Sequence, residues 1–195
     1  MQRVIPGVLA MAALTSFASY ARCDDKAAGD KTPDCVYVGT PNDVVAKMLD
    51  MAKITKDDVV YDPGCGDGRM VIAAARKYGC RGVGFEIVPK LVAEGRQIAK
   101  KRKVDHLVTI EDKDIYTVDY SKATVISMYL LPDMIVKLRP LLEKMKPGSR
   151  IVAHDYAIKD VAPDDTQVMT SNEDNVKHTL YLYTLPLKKE AAGGD

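Results

Sequence analysis

The stretch Asp62-Pro63-Gly64-Cys65-Gly66-Asp67-Gly68 follows the apolar run Val59-Val60-Tyr61 and precedes Arg69 to Lys77, a segment of helix-like composition. A strand that ends in a glycine-rich turn and leads into a helix presents backbone N–H groups to a ligand, because glycine lacks the Cβ that blocks close approach. The stretch therefore predicts a ligand-binding loop at the end of a strand.

The acidic residues of this loop indicate which ligand it binds. The dinucleotide fingerprint requires a third glycine where this chain has Arg69, and Asp62 and Asp67 would repel a pyrophosphate. S-Adenosylmethionine carries an ammonium and a sulfonium, which carboxylates attract. We therefore predict S-adenosylmethionine as the cofactor, bound by the loop residues Asp62, Gly64, Cys65, Gly66, Asp67 and Gly68.

Two further acidic residues follow the next predicted strands. Glu86 ends the short run Gly82 to Glu86, about 20 residues beyond the loop, where an acidic side chain accepts hydrogen bonds from both hydroxyls of an adenosine ribose. Asp114 follows a third predicted strand. We expect Asp114 to accept a hydrogen bond from the adenine amino group, and Ile115 to pack against the adenine ring.

With these residues in order, the chain from residue 58 to residue 185 resembles the class I S-adenosylmethionine-dependent methyltransferases. The runs Tyr129-Leu130-Leu131-Pro132, Lys146-Pro147-Gly148 and Arg150 to Tyr156 are similar to those of one small branch of that family. This branch contains bacterial members and the mitochondrial protein-lysine methyltransferases that act on the ATP synthase c-subunit and the adenine nucleotide translocase. The resemblance implies a Rossmann-like α/β fold, methyl transfer and a protein lysine as substrate.

The alternation of apolar runs and helix-like segments independently predicts a mostly parallel sheet with helices on both faces. Thr40 is the expected N-cap of the first helix, and Pro140 is expected to break or kink the last one. Two late strands, near 166–170 and 177–184, are expected to form an antiparallel hairpin that closes the sheet. The remaining strands are predicted near 58–62, 82–86, 107–111, 123–129 and 150–155, and the helices over 41–52, 69–78, 89–103 and 132–145.

Composition limits the size of the protein and the class of its partners. A chain of 195 residues with 47% hydrophobic residues is long enough for one domain with a sizeable core. Its formal net charge of +1 gives no electrostatic case for binding nucleic acid. The basic run Lys100 to Lys103 closes a predicted helix, where it complements the negative helix end.

The amino terminus has the features of a secretory signal. A basic start at Met1 to Arg3 precedes an uncharged apolar stretch, and small residues occur near Ala21 where signal peptidase cleaves. We expect an exported protein, periplasmic or secreted. An uncleaved membrane anchor is the alternative and the one expected membrane contact. The predicted organisation is a signal peptide over 1–21, a flexible linker over 22–36, a methyltransferase domain over 37–187 and a disordered tail over 188–195.

The four cysteines do not indicate a metal site. Cys23 and Cys35 flank the linker and are able to pair after export, whereas Cys65 and Cys80 are expected to be small buried residues. No two of them have the spacing of zinc ligands, so no metal is expected.

The carboxyl ends of the predicted strands also carry residues that suit a methyl acceptor. Tyr129 ends the fourth strand, where its hydroxyl or ring is able to orient an amine, although it equally suits an aromatic that caps a buried strand. Pro132 fixes the following turn and should border the same space. His154 is a supporting candidate, and its other interpretation is a structural hydrogen-bonding histidine. His106 and His178 receive no functional prediction.

Two other functions stay open at this point. A small-molecule N- or O-methyltransferase would keep the same fold, and so would a non-catalytic, exported module that binds S-adenosylmethionine. The chain has no obvious lid insertion, and an open site favours a protein segment over a small molecule as the methyl acceptor.

Overall fold

The structure, a computed structural model, describes residues 33–34 and 36–190. Its helices are α1 (Asn42–Met51), α2 (Arg69–Tyr78), α3 (Pro89–Lys101) and α4 (Pro132–Leu142), with two 3₁₀ turns at Ile115–Thr117 and Tyr120–Lys122. Its strands are β1 (Val59–Pro63), β2 (Arg81–Glu86), β3 (Val108–Asp112), β4 (Val125–Met128), β5 (Arg150–His154), β6 (Val161–Ala162), β7 (Asp165–Thr170), β8 (Lys177–Thr184) and β9 (Lys188–Lys189).

Seven of these strands form one sheet in the order β3-β2-β1-β4-β5-β8-β7. The five strands from β3 to β5 are parallel, and β8 runs antiparallel to both β5 and β7. The β7–β8 hairpin turns at residues 171–176, where Asn175 has a positive φ of 59°. This arrangement confirms the predicted fold class: a Rossmann-like, mostly parallel sheet closed by a C-terminal antiparallel hairpin.

Alternate residues of the strands enter two separate cores, one on each face of the sheet. Val60, Val125 and Val152 belong to one cluster, which α1, α2 and α3 cover. Their strand neighbours point the other way, into a cluster completed by α4 and the 3₁₀ turns. Because the sheet is covered on both faces, its strand ends are the places left for a ligand.

Several predicted boundaries were wrong. Pro41, not Thr40, occupies the N-cap position of α1, and no side chain caps this helix. The Thr40 hydroxyl instead lies 3.2 Å from Nδ1 of His154. Helix α4 ends at Leu142 rather than at 145, and it includes Pro140, so it is not broken at that residue. Helix α3 likewise ends at Lys101 rather than at 103.

The predicted disordered tail begins too early, at residue 188. Lys188 and Lys189 form β9, which pairs antiparallel with Val161 and Ala162 of β6 in a separate two-stranded sheet. The pairing was missed because β6 and β9 are two residues long and have no hydrophobic period. Residues 191–195 lie outside the described residues.

The predictions for the amino terminus mostly concern undescribed residues. The predicted signal peptide, most of the predicted linker and the proposed Cys23–Cys35 pair fall outside 33–34 and 36–190. Within the described part of the chain, no helix combines the length and the apolar character that crossing a membrane requires.

Candidate active site

The glycine-rich loop between β1 and α2 has the backbone conformation that only glycine adopts without strain. Gly64, Gly66 and Gly68 have φ values of 71°, 54° and 76°. The backbone N–H groups of Gly64 and Cys65 both donate to the Phe85 carbonyl oxygen, at 2.9 and 3.0 Å. These bonds fix the loop against the end of β2, so its shape is set before a ligand binds.

Glu86, at the carboxyl end of β2, is buried and fixes the glycine-rich loop by accepting hydrogen bonds from backbone N–H groups. One carboxylate oxygen accepts from the Gly66 N–H at 3.0 Å, and the other accepts from the N–H groups of Ile87 and Val88 at 2.8 and 2.9 Å. A carboxylate has roughly four lone-pair sites, so about one stays available for a ligand hydroxyl. The predicted pair of ribose hydrogen bonds therefore stays a prediction.

Asp62 is a buried acid with no cation beside it among the described residues. The pKa of Asp62 is raised to about 8, mainly by burial and also by the charges of Asp67 and Glu86, while the Ser127 hydroxyl acts in the lowering direction. Ionisation of this carboxyl in the absence of a ligand is therefore costly. A ligand ammonium beside Asp62 would reverse that penalty.

Asp67, by contrast, is already paired within the loop. Its carboxylate lies 2.9 Å from the Arg69 guanidinium, which also donates to the Thr40 carbonyl oxygen at 2.7 Å. Burial opposes the ionised form, but hydrogen bonds and the charge of Arg69 lower the pKa of Asp67 below its usual range. The carboxyl groups that remain to attract a cationic ligand are thus those of Asp62 and Glu86. The sequence had instead predicted this role for Asp62 and Asp67.

Two adjoining cavities lie at the carboxyl ends of the strands. The larger has a volume of about 570 Å³ and is lined by Pro33, Asp34, Val36, Tyr37, Val38, Gly64, Glu86, Ile87, Val88, Leu91, Asp114, Ile115, Tyr116, Tyr129, Leu130 and Met134. The smaller, of about 30 Å³, is lined by Tyr37, Val38, Gly39, Thr40, Asp62, Gly64, Cys65, Arg69, Met70 and Tyr129. Tyr37, Val38, Gly64 and Tyr129 line both cavities and separate them.

Most of the predicted site residues line one of these cavities. Asp62 and Cys65 reach the smaller one, and Glu86, Asp114 and Ile115 reach the larger. Asp114 also caps the first 3₁₀ turn by accepting from the Tyr116 N–H at 2.9 Å. Five predicted residues line neither cavity: Gly66, Asp67, Gly68, Pro132 and His154.

The structure gives these five residues supporting positions. A Cβ on Gly66 would lie 2.0 Å from the Tyr37 ring, and one on Gly68 would lie 2.8 Å from Ile110, so both glycines allow close packing. Pro132 is exposed in the first turn of α4. His154 is buried, and its ring centroid lies 4.0 Å from that of Tyr129. His154 therefore packs against the Tyr129 ring without reaching either cavity.

His154 belongs to a polar cluster that the sequence analysis did not foresee. Its Nε2 atom lies 2.8 Å from Nδ1 of His178, and the Asp155 carboxylate approaches both rings. Burial lowers the pKa of His154 to about 4, although the charge of Asp155 opposes this shift. The ring is therefore neutral near pH 7, which fits the structural interpretation of His154.

The segment before α1 supplies cavity residues that the sequence analysis had assigned to a linker. Pro33, Asp34 and Val36 line the larger cavity. Tyr37 covers the glycine-rich loop and contacts Asp67, and burial followed by the charge of Asp67 raises the Tyr37 pKa to about 12. No periodic pattern or motif marks this segment, because its contacts are made by irregular backbone.

Comparisons with known proteins agree with this geometry. Residues 62–165, more than half of the chain, match the family described as the ANTKMT methyltransferase domain. A protein-lysine N-methyltransferase of Saccharolobus islandicus is 40% identical over 155 residues, which cover 78% of this chain and 95% of that protein. The ATP synthase C-subunit lysine N-methyltransferase of Xenopus laevis is 30% identical over 129 residues. This second match covers 66% of this chain and only 56% of that relative.

A solved structure leads to the same cofactor. The Salinibacter ruber protein described as an RNA methyltransferase, in complex with S-adenosyl-L-homocysteine, is 42% identical with a TM-score of 0.70. The match covers 80% of this chain and 98% of that one. In the present chain Asp62, Gly64 and Glu86, three of the predicted cofactor-binding residues, line these cavities. The chain therefore belongs to the ANTKMT methyltransferase domain family and is an S-adenosylmethionine-dependent methyltransferase.

Proposed function

We propose that this enzyme N-methylates a lysine side chain of a protein substrate. The observation that carries the proposal is the charge of the larger cavity. Three acidic residues, Asp34 and the two predicted cofactor ligands Glu86 and Asp114, line it, and the described residues contribute no lysine or arginine to its wall. Such a wall attracts a cationic side chain and repels a phosphate group.

The same cavity is suited to prepare an amine for methylation. A lysine has an ordinary pKa near 10.4 and must lose its proton before it acts as a nucleophile. The apolar side chains of Val36, Leu130 and Met134 line the wall and would desolvate the ammonium, which lowers its pKa. The Tyr129 hydroxyl would accept a hydrogen bond from the neutral amine.

When bound, S-adenosylmethionine supplies the methyl group, which forms a bond to the amine nitrogen while the C–S bond breaks and its electron pair stays on sulfur. Asp62 and Glu86 would hold the cofactor, and Tyr129, which lines both cavities, would orient the amine along the line of the breaking bond. The product nitrogen then loses its second proton to solvent. We infer direct in-line transfer because Cys65, the one cysteine that the described residues contribute to either wall, is buried and has a pKa raised by that burial.

The names of the relatives support a protein lysine. The Saccharolobus and Xenopus proteins are both lysine N-methyltransferases, whereas the Salinibacter protein is described as acting on RNA. The acidic wall and the net charge of +1 favour a lysine over RNA for this chain. RNA is therefore the alternative methyl acceptor, and the experiment must distinguish it from a protein lysine.

The test is methylation of a cell-envelope extract by the purified protein with methyl-labelled S-adenosylmethionine. Parallel extracts are pretreated with ribonuclease or with protease, and the labelled products are hydrolysed and analysed by mass spectrometry. We expect methyllysine in the ribonuclease-treated extract and no labelled macromolecule after protease treatment.

The Glu86→Ala variant serves as the negative control, since it should bind the cofactor weakly. Label that disappears with ribonuclease would contradict the proposal. Label found only in a small-molecule fraction would instead support a small-molecule methyltransferase.

We also propose that the protein is exported. The proposal rests on the basic start, the apolar stretch and the small residues that end at Ala21. Amino-terminal sequencing of protein from the native host should give a mature chain that begins near Arg22. Protein that begins at Met1 in a cytosolic fraction would contradict export, and protein that begins at Met1 in the membrane fraction would support the anchor.

A further inference from the structure

Three side chains converge at the junction between the parallel strands and the C-terminal hairpin. His154 ends β5, Asp155 follows it, and His178 lies near the start of β8. The distance from His154 Nε2 to His178 Nδ1 is 2.8 Å, and Oδ2 of Asp155 lies 3.3 Å from the first nitrogen and 3.2 Å from the second. These three atoms form a compact triangle.

The triangle contains more lone pairs than protons. The Nε2 atom of His178 lies 3.2 Å from the Asp174 carboxylate, which only accepts, so the tautomer that donates to Asp174 directs the Nδ1 lone pair into the triangle. There Nδ1 of His178 and Oδ2 of Asp155 are both acceptors. His154 Nε2 supplies at most one proton to these two acceptors, so hydrogen bonding within the cluster leaves a lone pair unmatched.

Contacts outside the triangle hold each of its members in place. Thr40 contacts the second nitrogen of His154 at 3.2 Å, and Asp174 contacts that of His178. Oδ1 of Asp155 accepts from the Thr179 N–H at 2.9 Å, and Asp155 adopts a positive φ of 59°. Oxygen partners on the outer nitrogens are the usual environment of metal-binding histidines, because they fix the tautomer that directs a lone pair at the ion.

We propose that His154, Asp155 and His178 bind a divalent first-row transition metal ion, of which Zn²⁺ is the fitting example. Nitrogen and oxygen ligands lie about 2.0–2.2 Å from zinc, which separates neighbouring ligand atoms by about 2.8–3.6 Å at octahedral or tetrahedral angles. The observed separations of 2.8, 3.2 and 3.3 Å agree with that geometry. The ion would accept one lone pair from each of the three atoms.

The burial of the cluster suits a bound ion with one route to solvent. The side chains of His154 and His178 are 0% and 7% exposed, whereas that of Asp155 is 27% exposed. The carboxylate therefore forms the opening, where water completes the coordination. An ion here would join β5 to β8 directly behind the Tyr129 ring.

Direct metal binding tests the proposal on the full-length protein. Protein freed of metal with a chelator is titrated with ZnCl₂ by calorimetry and with CoCl₂ by visible absorption, and its Tm is recorded at each Zn²⁺ concentration. We expect one Zn²⁺ per chain, d–d bands that report nitrogen and oxygen ligands to Co²⁺, and a Tm that rises with Zn²⁺ concentration.

Three variants and one matched control identify the site. His178→Gln and Asp155→Asn each remove one ligand but keep a polar side chain, and both should lose stoichiometric binding while circular dichroism shows a folded protein. Asp174→Asn removes only the outer partner of His178 and should weaken binding about 10–100-fold. His106→Ala alters the exposed histidine outside the cluster and should bind as the unmodified protein does.

Two results would overturn the proposal. The first is a folded protein that binds none of Zn²⁺, Co²⁺ and Ni²⁺, in which case the cluster is a hydrogen-bonded network that shares a proton. The second is stoichiometric binding that survives both His178→Gln and Asp155→Asn, which would place the ion elsewhere. If His178→Gln unfolds, the Asp155→Asn and Asp174→Asn titrations still decide the question.

Discussion

Two buried aspartates lie at opposite ends of β1 and have opposite surroundings. Asp58, just before the strand, contacts the Arg150 guanidinium and accepts hydrogen bonds from Thr124 and from the Thr55 N–H. Burial opposes its ionisation, but these hydrogen bonds and the charge of Arg150 lower the pKa of Asp58 below its usual range. Asp62, near the other end, has no cation beside it within the described part of the chain, and burial raises its pKa to about 8.

This difference separates the part of β1 that stabilises the fold from the part that binds a ligand. At the Asp58 end, the protein itself satisfies the buried charge. At the Asp62 end, we expect the ammonium of the cofactor to supply the balancing positive charge. A buried carboxyl without a neighbouring cation is costly to ionise in the free protein, but its ionised form is stabilised when a cation binds beside it.

The largest expected effect is the pH dependence that Asp62 gives to the free protein. Because its folded pKa is raised from 3.8 to about 8, the contribution of Asp62 to stability is present below pH 4 and is lost as the pH rises through 8. The free energy of unfolding should fall by up to about 6 kcal/mol over this interval relative to Asp62→Asn. Urea denaturation at a series of pH values measures the difference.

The matched control for Asp62→Asn is Asp57→Asn, which alters an exposed acid near the other end of the strand. The control should keep the pH dependence of the unmodified protein. Saturating S-adenosylmethionine should remove the decline, since its ammonium favours ionised Asp62. A decline that persists unchanged in Asp62→Asn would show that another group causes it.

The next effect is the loss of stability on breaking the Asp58–Arg150 pair. Asp58→Ala leaves a partly buried guanidinium without its carboxylate and should lower the free energy of unfolding by about 3 kcal/mol. Chemical denaturation measures this loss, and calorimetry should find cofactor affinity nearly unchanged in the folded fraction. Asp57→Ala is the exposed control. A large loss of cofactor affinity in Asp58→Ala would contradict the view that only the Asp62 end of β1 contributes to cofactor binding.

Removal of Glu86 should weaken cofactor binding. A charge-assisted hydrogen bond contributes about 1.5–3 kcal/mol, so one lost bond to a ribose hydroxyl lowers affinity roughly 10- to 150-fold. Calorimetry on Glu86→Ala measures this change, with Glu111→Ala on the partner strand as a half-exposed control. Equal affinities in both variants would place the ribose away from Glu86.

The smallest effect concerns the Tyr129 hydroxyl. Tyr129→Phe keeps the ring against His154 and deletes one neutral hydrogen bond, worth about 1 kcal/mol, so turnover should fall roughly fivefold. Cofactor affinity and Tm should stay close to those of the unmodified protein. Initial rates with saturating cofactor measure the change. Full activity in Tyr129→Phe would show that the Tyr129 hydroxyl does not contribute to turnover and that the side chain acts only in packing.

The features predicted correctly from the sequence are mostly those encoded by residues close together in the chain. The loop at 62–68 and Glu86 carry local signals, because glycines and acids must follow strand ends at fixed spacing, and the parallel sheet follows from the alternation of strands and helices. The pairing of Asp67 with Arg69 was missed although it is local, because a carboxylate in a binding loop and one in an ion pair look alike in sequence. His178 could not be joined to His154, since their contact depends on the register of β5 with β8.

The Tyr37 ring over Gly66 has a consequence for how substrates arrive. The irregular segment that carries this ring forms one wall of the larger cavity and is tied to the glycine-rich loop through Asp67. The larger cavity and the glycine-rich loop therefore share one covering segment. A movement of this segment would uncover both at once, so that access for a substrate is coupled to the shape of the loop.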